Sequence, residues 1–278
     1  MRGKTIKFII PFVLGHLAFI LISCSKRPEI QTAGYYKDSN SVNKTNYTAK
    51  TLIGAPEELK KLVNSYPDLL DSADANYLYW KDGTKMIWDD NKKKTFDDML
   101  EFPDLEDMMS IEYPSGSKWD SPPSKNFDPG RIRNEDFFKK MYGRTEGDVR
   151  KNCVTIDWFG TPVLVSKVNN LDEELKQVMK DLQKLPSEFH KYFTRTGGTF
   201  YWRFIKNTER LSAHSFGAAI DINTEYSDYW EWSKDLKYKN RIPIEIVEVF
   251  EKHGFIWGGK WYHYDTMHFE YRPELLTN

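Results

Sequence analysis

The sequence lacks several features that would each point to a particular class of protein. It has no basic excess, with 40 Lys and Arg residues against 41 Asp and Glu residues, so it does not resemble a nucleic-acid-binding protein. It has only two cysteines in 278 residues and no internal repeat. Hydrophobic residues at 40% and charged residues at 29% are typical of a folded soluble protein. The composition therefore predicts a globular protein and argues against nucleic acid as a partner.

The apolar run near the start of the chain is shorter than a typical membrane-spanning helix. It covers residues 8–22, whereas a spanning helix needs about 20 apolar residues. Basic residues precede the run, and a Leu-Ile-Ser-Cys sequence at residues 21–24 ends it, which resembles a bacterial lipobox. The resemblance implies cleavage before Cys24 and acylation of its thiol. We predict a lipoprotein signal peptide over residues 1–23; a plain membrane anchor is the alternative.

The rest of the chain divides into three parts by composition. Residues 24–50 are polar and rich in Ser, Asn, Thr and Lys, which predicts a flexible tether to the membrane. Residues 51–152 are less regular and form an N-terminal extension of unknown role. The patterns of strands and helices are clearest over residues 153–278, which we predict to be a folded domain. A lipid on Cys24 would leave Cys153 without an intrachain disulfide partner.

Hairpin and helix signals predict an α+β fold. An Asp-Gly pair at residues 82–83 between two apolar runs predicts a β-hairpin. Residues 154–158 and 162–168 have strand character around a Gly-containing turn. Asn170 would cap a helix with apolar residues at helical spacing, and a further helix is predicted over residues 243–253. We expect a small mixed or antiparallel sheet with flanking helices, and no parallel doubly wound sheet.

Residues that could carry chemistry occur in two separated segments. His214 and Asp221 lie seven residues apart in the first segment, which does not match the spacing of a helical zinc site. The alternation around Asp221 predicts a strand that directs this carboxylate to one face. The second segment contains Asp265 and His268. Zinc in hydrolases usually takes three N or O ligands from the protein, and His214, Asp221 and His268 supply such a set.

These two segments resemble the zinc peptidases that cleave D-alanyl-D-alanine or L-alanyl-D-glutamate bonds, the group that includes VanX, VanY and several phage endolysins. The family motif, Ser-x-His-x-x-Gly-x-Ala-x-Asp followed later by acid-x-x-His, is matched by Ser212, His214, Gly217, Ala219, Asp221, Asp265 and His268. The similarity covers roughly residues 153–272 and implies a fold like that of hedgehog and the DD-peptidases. A Trp-Gly-Gly-x-Trp segment, and Asp where VanX and VanY carry Glu, are most similar to the L-alanyl-D-glutamate endopeptidase branch.

The resemblance implies a role for each charged residue of the motif. His214, Asp221 and His268 would bind Zn²⁺, and Asp265 would be the general base that deprotonates the attacking water. The implied substrates are the stem peptides of peptidoglycan. Together with the lipobox, this predicts a bacterial cell-envelope lipoprotein that faces the periplasm or the cell surface and contacts the membrane through its N-terminal lipid.

The oxyanion that forms during amide hydrolysis needs a cation beside the metal, and family members use an upstream arginine. Arg203 is the candidate, with Arg195 and Arg210 as competitors. Surface ion pairing is the alternative explanation for all three. The sequence therefore predicts one catalytic arginine and names Arg203 as the first choice.

Four further residues are candidates for a supporting or substrate-binding role. Ser212 would form a hydrogen bond near the metal, and Glu270 would lie on the same side of a strand as His268, where it could orient that ligand. Trp257 and Trp261 would either line the substrate groove or fill the core. A surface salt bridge is the alternative for Glu270.

The predicted function is zinc-dependent hydrolysis of an L-Ala-D-Glu bond in peptidoglycan. A D-Ala-D-Ala carboxypeptidase or dipeptidase on the same scaffold would use the same metal chemistry. A wall-binding lipoprotein without activity is the alternative from another class. Degenerate proteins of that kind should lack a ligand or the base, whereas this chain has all four residues.

Overall fold

The computed structural model describes residue 52 and residues 54–276. The predicted signal peptide, the lipidation site Cys24 and the tether over residues 24–50 lie outside the described residues. Within the described part, no helix combines the length and apolar character that crossing a bilayer requires.

The predicted α+β class is confirmed. The α-helices of the described part are α1 Glu57–Ser65, α2 Phe96–Glu101, α3 Leu105–Met109, α4 Glu135–Tyr142, α5 Glu146–Lys151, α6 Leu171–Leu182, α7 His190–Phe193 and α8 Ile244–Lys252. The strands are β1 Leu70–Ala73, β2 Tyr77–Trp80, β3 Lys85–Ile87, β4 Cys153–Trp158, β5 Thr161–Ser166, β6 Thr196–Gly198, β7 Ala219–Ile222, β8 Phe255–Trp257 and β9 His268–Tyr271.

Every strand pair among the described residues is antiparallel. Strands β1, β2 and β3 form a meander, and the predicted hairpin at residues 82–83 joins β2 to β3. Strands β4 and β5 form a separate hairpin around the predicted Gly-containing turn. The third sheet has the order β6-β7-β9-β8. Its two central strands carry Asp221 and His268, one residue from each motif segment.

The two faces of strands β7 and β9 differ in polarity. Ile220, Ile222 and Phe269 are fully buried on the face covered by α8. There the ring of Phe250 stacks on Phe269 with 3.8 Å between ring centroids. Residues of a strand alternate between faces, so this packing directs Asp221 to the opposite face. The apolar residues of the sheet thereby determine which way the candidate ligands point.

The two helices predicted after residue 153 are present, but one predicted cap is wrong. Asn170 has a left-handed backbone with φ of 58°, and its side chain makes no capping hydrogen bond to α6. A capping side chain needs an extended backbone at this position to reach the amides of the first turn. Helix α8 lies inside the predicted range, with Pro243 immediately before its first residue.

Residues of the predicted N-terminal extension share one hydrophobic core with the described residues that follow residue 152. The core cluster includes Leu59 and Phe137 from the extension together with Val178 and Phe250 from beyond residue 153. Aromatic contacts link the two parts, because the ring of Phe138 lies 5.5 Å from that of Phe216. The division at residue 152 stays a prediction, but the described residues on both sides of it pack together.

Candidate metal centre

Three elements bring His214, Asp221 and His268 together. His214 lies in a short 3-10 turn, Ala213–Phe216, while Asp221 lies on β7 and His268 begins β9. Asp221 and His268 are direct partners in the β7–β9 register. Asp221 Oδ1 is 3.2 Å from His214 Nε2 and 3.0 Å from His268 Nδ1, and the two nitrogens are 3.2 Å apart.

Gly217 makes the turn between His214 and β7 possible. Its φ of 63° is in the left-handed region, which costs residues with a side chain about 1–2 kcal/mol. A Cβ atom at this position would also lie 3.0 Å from the amide nitrogen of Ser166 and 3.1 Å from the sulfur of Cys153. Both the backbone conformation and the close packing therefore favour glycine at this position.

Hydrogen bonds select the tautomers of both histidines. The Nδ1–H of His214 donates to the carbonyl oxygen of Thr199 at 2.7 Å, which leaves Nε2 as an acceptor. The Nε2 of His268 lies 3.5 Å from Glu270 Oε2, so a neutral His268 carries its proton on that side and offers Nδ1 to a metal. With both rings neutral, two nitrogen lone pairs and a carboxylate oxygen converge, an arrangement that either a bound cation or a second proton on His268 stabilises.

The geometry of the three donor atoms fits zinc. Tetrahedral zinc binds nitrogen and oxygen at about 2.0–2.2 Å, which places neighbouring ligand atoms about 3.3 Å apart. The three separations of 3.0–3.2 Å are close to that value. The set of two imidazoles and one carboxylate is also one that zinc prefers in hydrolases. These residues therefore form a preorganised candidate site for Zn²⁺.

Asp265 lies beside this set and is not part of it. Its Oδ1 atom is buried and has no hydrogen-bond partner among the described residues. The backbone is held independently, since the Asp265 amide donates to Gly258 and the His268 amide donates to Asp265. Burial and the nearby charge of Asp221 raise the pKa of the Asp265 carboxyl above its usual value. A half-buried carboxylate with an unused oxygen is suited to accept a proton.

The charges of the metal-free centre are strongly coupled. Burial opposes ionisation of Asp221, but His214 and His268 outweigh it and lower the Asp221 pKa. Burial also opposes a charge on His268, but hydrogen bonds to Asp221 and Glu270 raise its pKa to about 10. A metal that binds here must therefore displace a proton from His268.

Glu270 lies on the same side of β9 as His268, as predicted, and its side chain is fully buried. The surface salt bridge considered as the alternative is therefore wrong. Burial raises the pKa of Glu270, but Arg133, at 3.1 Å from Oε2, dominates the opposing interactions and the pKa falls to about 2. Sequence reasoning missed Arg133, which lies 137 residues from Glu270 with no local signal to connect them.

The structure distinguishes Arg203 from its two competitors. Arg195 is 3.7 Å from Glu225, and Arg210 donates to Glu101 at 3.0 Å, so both have carboxylate partners. Arg203 is exposed and makes no ion pair among the described residues. Its backbone amide and carbonyl both bond to the hydroxyl of Ser215, the residue after His214. The backbone of Arg203 is thereby fixed against the turn that carries the first candidate ligand.

The remaining predicted residues belong to the interior. Trp257 is buried and its indole N–H donates to the carbonyl of Thr266, so the core interpretation applies to it. Trp261 is also buried, and its ring lies 5.6 Å from that of His268. Ser212 is buried immediately before the His214 turn, and its amide donates to the carbonyl of Arg203. Both tryptophans are therefore interior residues, and Trp261 packs beside the candidate ligand His268.

A second acidic group in the described part already has its own cation. Asp89, Asp90 and Asp104 bring oxygen atoms close together, as do Asp104 and Asp107. The ammonium of Lys94 lies 3.1 Å from Asp90, 3.0 Å from Asp104 and 2.5 Å from Asp107. A lysine therefore neutralises this cluster, in contrast to the centre at His214.

Comparison with known proteins agrees with the site. Residues 206–271 match a family model described as D-alanyl-D-alanine carboxypeptidase. The matched segment contains all three candidate ligands and Asp265, but not Arg203 or Arg133. No curated protein and no solved structure matches the chain significantly. The family match covers 66 of the 278 residues and supports a peptidase, and thus a hydrolase.

Proposed function

We propose that this chain is a zinc-dependent peptidase that hydrolyses an L-Ala-D-Glu type bond in peptidoglycan stem peptides. One observation carries the proposal: the Asp265 carboxylate has a buried, unpartnered oxygen beside a preorganised donor set of two histidines and one aspartate. A structural role would not require a buried oxygen without a partner, because such groups are normally hydrogen-bonded. A purely wall-binding function would not require it either.

Each residue has a defined task in the proposed reaction. Bound zinc would supply a Lewis acid for the scissile carbonyl and lower the pKa of water. The Asp265 carboxylate accepts the proton of the attacking water and can return it to the leaving amine. Thr199 and Glu270 keep the ring nitrogens of His214 and His268 directed at the centre. The exposed guanidinium of Arg203 is available to the oxyanion of the tetrahedral intermediate.

Two observations bear on which bond is cleaved. The resemblance to the L-alanyl-D-glutamate branch rests on Asp265, where VanX and VanY carry Glu, and on the Trp-Gly-Gly-x-Trp segment. The description of the matching family model instead favours cleavage of D-Ala-D-Ala. Both activities share the same metal chemistry, so they differ only in how the peptide is bound. We propose the endopeptidase activity and retain the carboxypeptidase as the second candidate.

Digestion of defined muropeptides by zinc-loaded protein, read by mass spectrometry, tests the proposal. We expect cleavage between L-Ala and D-Glu and little release of terminal D-Ala. Predominant release of D-Ala would instead establish the carboxypeptidase. Failure of the loaded protein to cut either bond would contradict both activities. His214→Ala is the matched negative control, because it removes a candidate ligand.

We further propose that the protein is a lipoprotein of the bacterial cell envelope. The support is the apolar run that ends in Leu-Ile-Ser-Cys at residues 21–24. A lipid on Cys24 followed by a polar tether would hold the peptidase near the membrane and within reach of the wall. Mass spectrometry of the membrane-extracted protein should find acyl groups on Cys24, and Cys24→Ala should lack them. An unmodified N-terminal region in the extracted wild type would refute this proposal.

A further inference from the structure

The segment over residues 128–135, from the predicted N-terminal extension, contacts the candidate centre from several sides. Its carboxylates and one of its guanidinium groups reach residues that flank the ligands or the base. The contacts are Asp128 with His263 at 2.6 Å, Arg133 with Glu270 at 3.1 Å, and Glu135 with the Leu211 amide at 2.8 Å. The extension therefore packs against both motif segments.

The contact made by Arg133 leads directly to a candidate ligand. Arg133 Nη1 donates to Glu270 Oε2, and the same oxygen faces the Nε2 of His268 at 3.5 Å. The Glu270 side chain is fully buried and that of Arg133 is 12% exposed. A buried carboxylate needs a close cation, and its orientation then determines the direction of the imidazole that it holds.

Arg272 also approaches Glu270 but engages a different oxygen. Its Nη1 is 3.5 Å from Glu270 Oε1 and 2.9 Å from the carbonyl oxygen of Gly130, while its Nε donates to Glu274 at 2.5 Å. Arg272 is thus committed mainly to other partners. The oxygen of Glu270 that faces His268 is held by Arg133.

We propose that Arg133 is a positioning residue for His268 and acts on the metal centre through Glu270. The inference rests on the proposed function, since it assigns His268 as a zinc ligand. By fixing Oε2, Arg133 keeps a proton of His268 on Nε2 and holds the ring so that Nδ1 points at Asp221 and His214. The extension thereby contributes to metal affinity without contributing a ligand.

The test compares zinc affinity in three full-chain variants by competition with a chromophoric chelator. Loss of a residue that orients a ligand typically weakens metal binding by about 10–100-fold, and we expect this for Arg133→Gln. Arg133→Lys keeps the charge but offers a single ammonium in place of the planar fork, so it should recover part of the affinity. Arg210→Gln is the matched control, because it breaks another ion pair between the two parts, with Glu101, without touching Glu270.

The control variant should bind zinc within about twofold of the wild type. Wild-type affinity in Arg133→Gln would overturn the inference, and so would an equal loss in Arg210→Gln, which would indicate general docking of the extension. If Arg133→Gln does not fold, the lysine variant decides, since affinity equal to the wild type would also overturn it. Affinity is measured without substrate, so absence of peptide cleavage would contradict only the proposed function.

Discussion

Replacement of Asp265 by asparagine separates the proposed base from the metal ligands. The change keeps the size of the side chain and removes its negative charge together with its ability to accept a proton. The backbone at this position is held by main-chain hydrogen bonds to Gly258 and His268, which do not depend on the carboxylate. We therefore expect Asp265→Asn to fold and to bind zinc like the wild type.

The expected loss of activity is large because no other carboxylate among the described residues is placed to substitute for Asp265. Asp221 is committed to both histidines, and Glu270 is fully buried behind His268. Loss of a general base costs about 10²–10⁴ in rate, and the absence of a substitute in the described site favours about 10³–10⁴. This corresponds to about 4.1–5.4 kcal/mol of transition-state stabilisation.

Asp265→Asn should lower activity but raise the stability of the metal-free protein. Burial and Asp221 raise the pKa of Asp265, so the folded metal-free protein retains a proton that the unfolded chain loses near pH 4. The contribution of Asp265 to wild-type stability therefore falls as pH rises from about 4 to about 6, because at this group the unfolded state binds fewer protons than the native state. Asparagine does not titrate, so Asp265→Asn should gain in relative stability over the same interval.

The assays are steady-state cleavage of a stem peptide containing L-Ala-D-Glu, metal analysis, and thermal unfolding of metal-free protein between pH 4 and 7. Reduced kcat with retained zinc and an equal or higher Tm would support the assignment. Full activity in Asp265→Asn would refute the proposed mechanism whichever bond is cut. Loss of zinc in the variant would instead show that Asp265 is a ligand.

Three further predictions follow from the site. His214→Ala and His268→Ala should each lose the single bound zinc, and unchanged metal content in both would contradict the ligand assignment. Zinc binding at pH 8 should release about one proton, since the pKa of metal-free His268 is about 10. Calorimetry in buffers of different ionisation enthalpy measures the number of protons released. Zinc binding without proton release would contradict the prediction. Gly217→Ala should lower the free energy of unfolding by at least about 1–2 kcal/mol in urea denaturation, because alanine is strained at positive φ. An unchanged urea midpoint would show that the turn relaxes freely.

The donor set could be predicted from sequence because its signal is local. The spacing from His214 to Asp221 and from Asp265 to His268 lies within two short segments, and alternation around Asp221 gave the strand and its orientation. The β2–β3 hairpin was predictable for the same reason, since an Asp-Gly turn between apolar runs is a short-range pattern.

The supporting residues could not be predicted because their partners are distant in sequence. Arg133 and Glu270 are 137 residues apart, and an ion pair across that distance leaves no periodicity. Burial posed a similar problem for Trp257, whose type suits both a groove and a core until the packing is known. The prediction that Asn170 caps a helix was wrong because asparagine is equally suited to the left-handed backbone conformation that this residue adopts.

The direct pairing of Asp221 with His268 across β7 and β9 makes the metal centre a product of strand register. A slip of one residue would turn one of these side chains to the opposite face, so the buried apolar residues that lock the register also protect the centre. Formation of the sheet already brings two of the three donors, Asp221 and His268, together before a metal ion binds. The loss of conformational entropy at these two residues is therefore part of folding and not of metal binding. Chelation should therefore remove zinc reversibly and leave the sheet folded, unlike small domains that fold only around their metal.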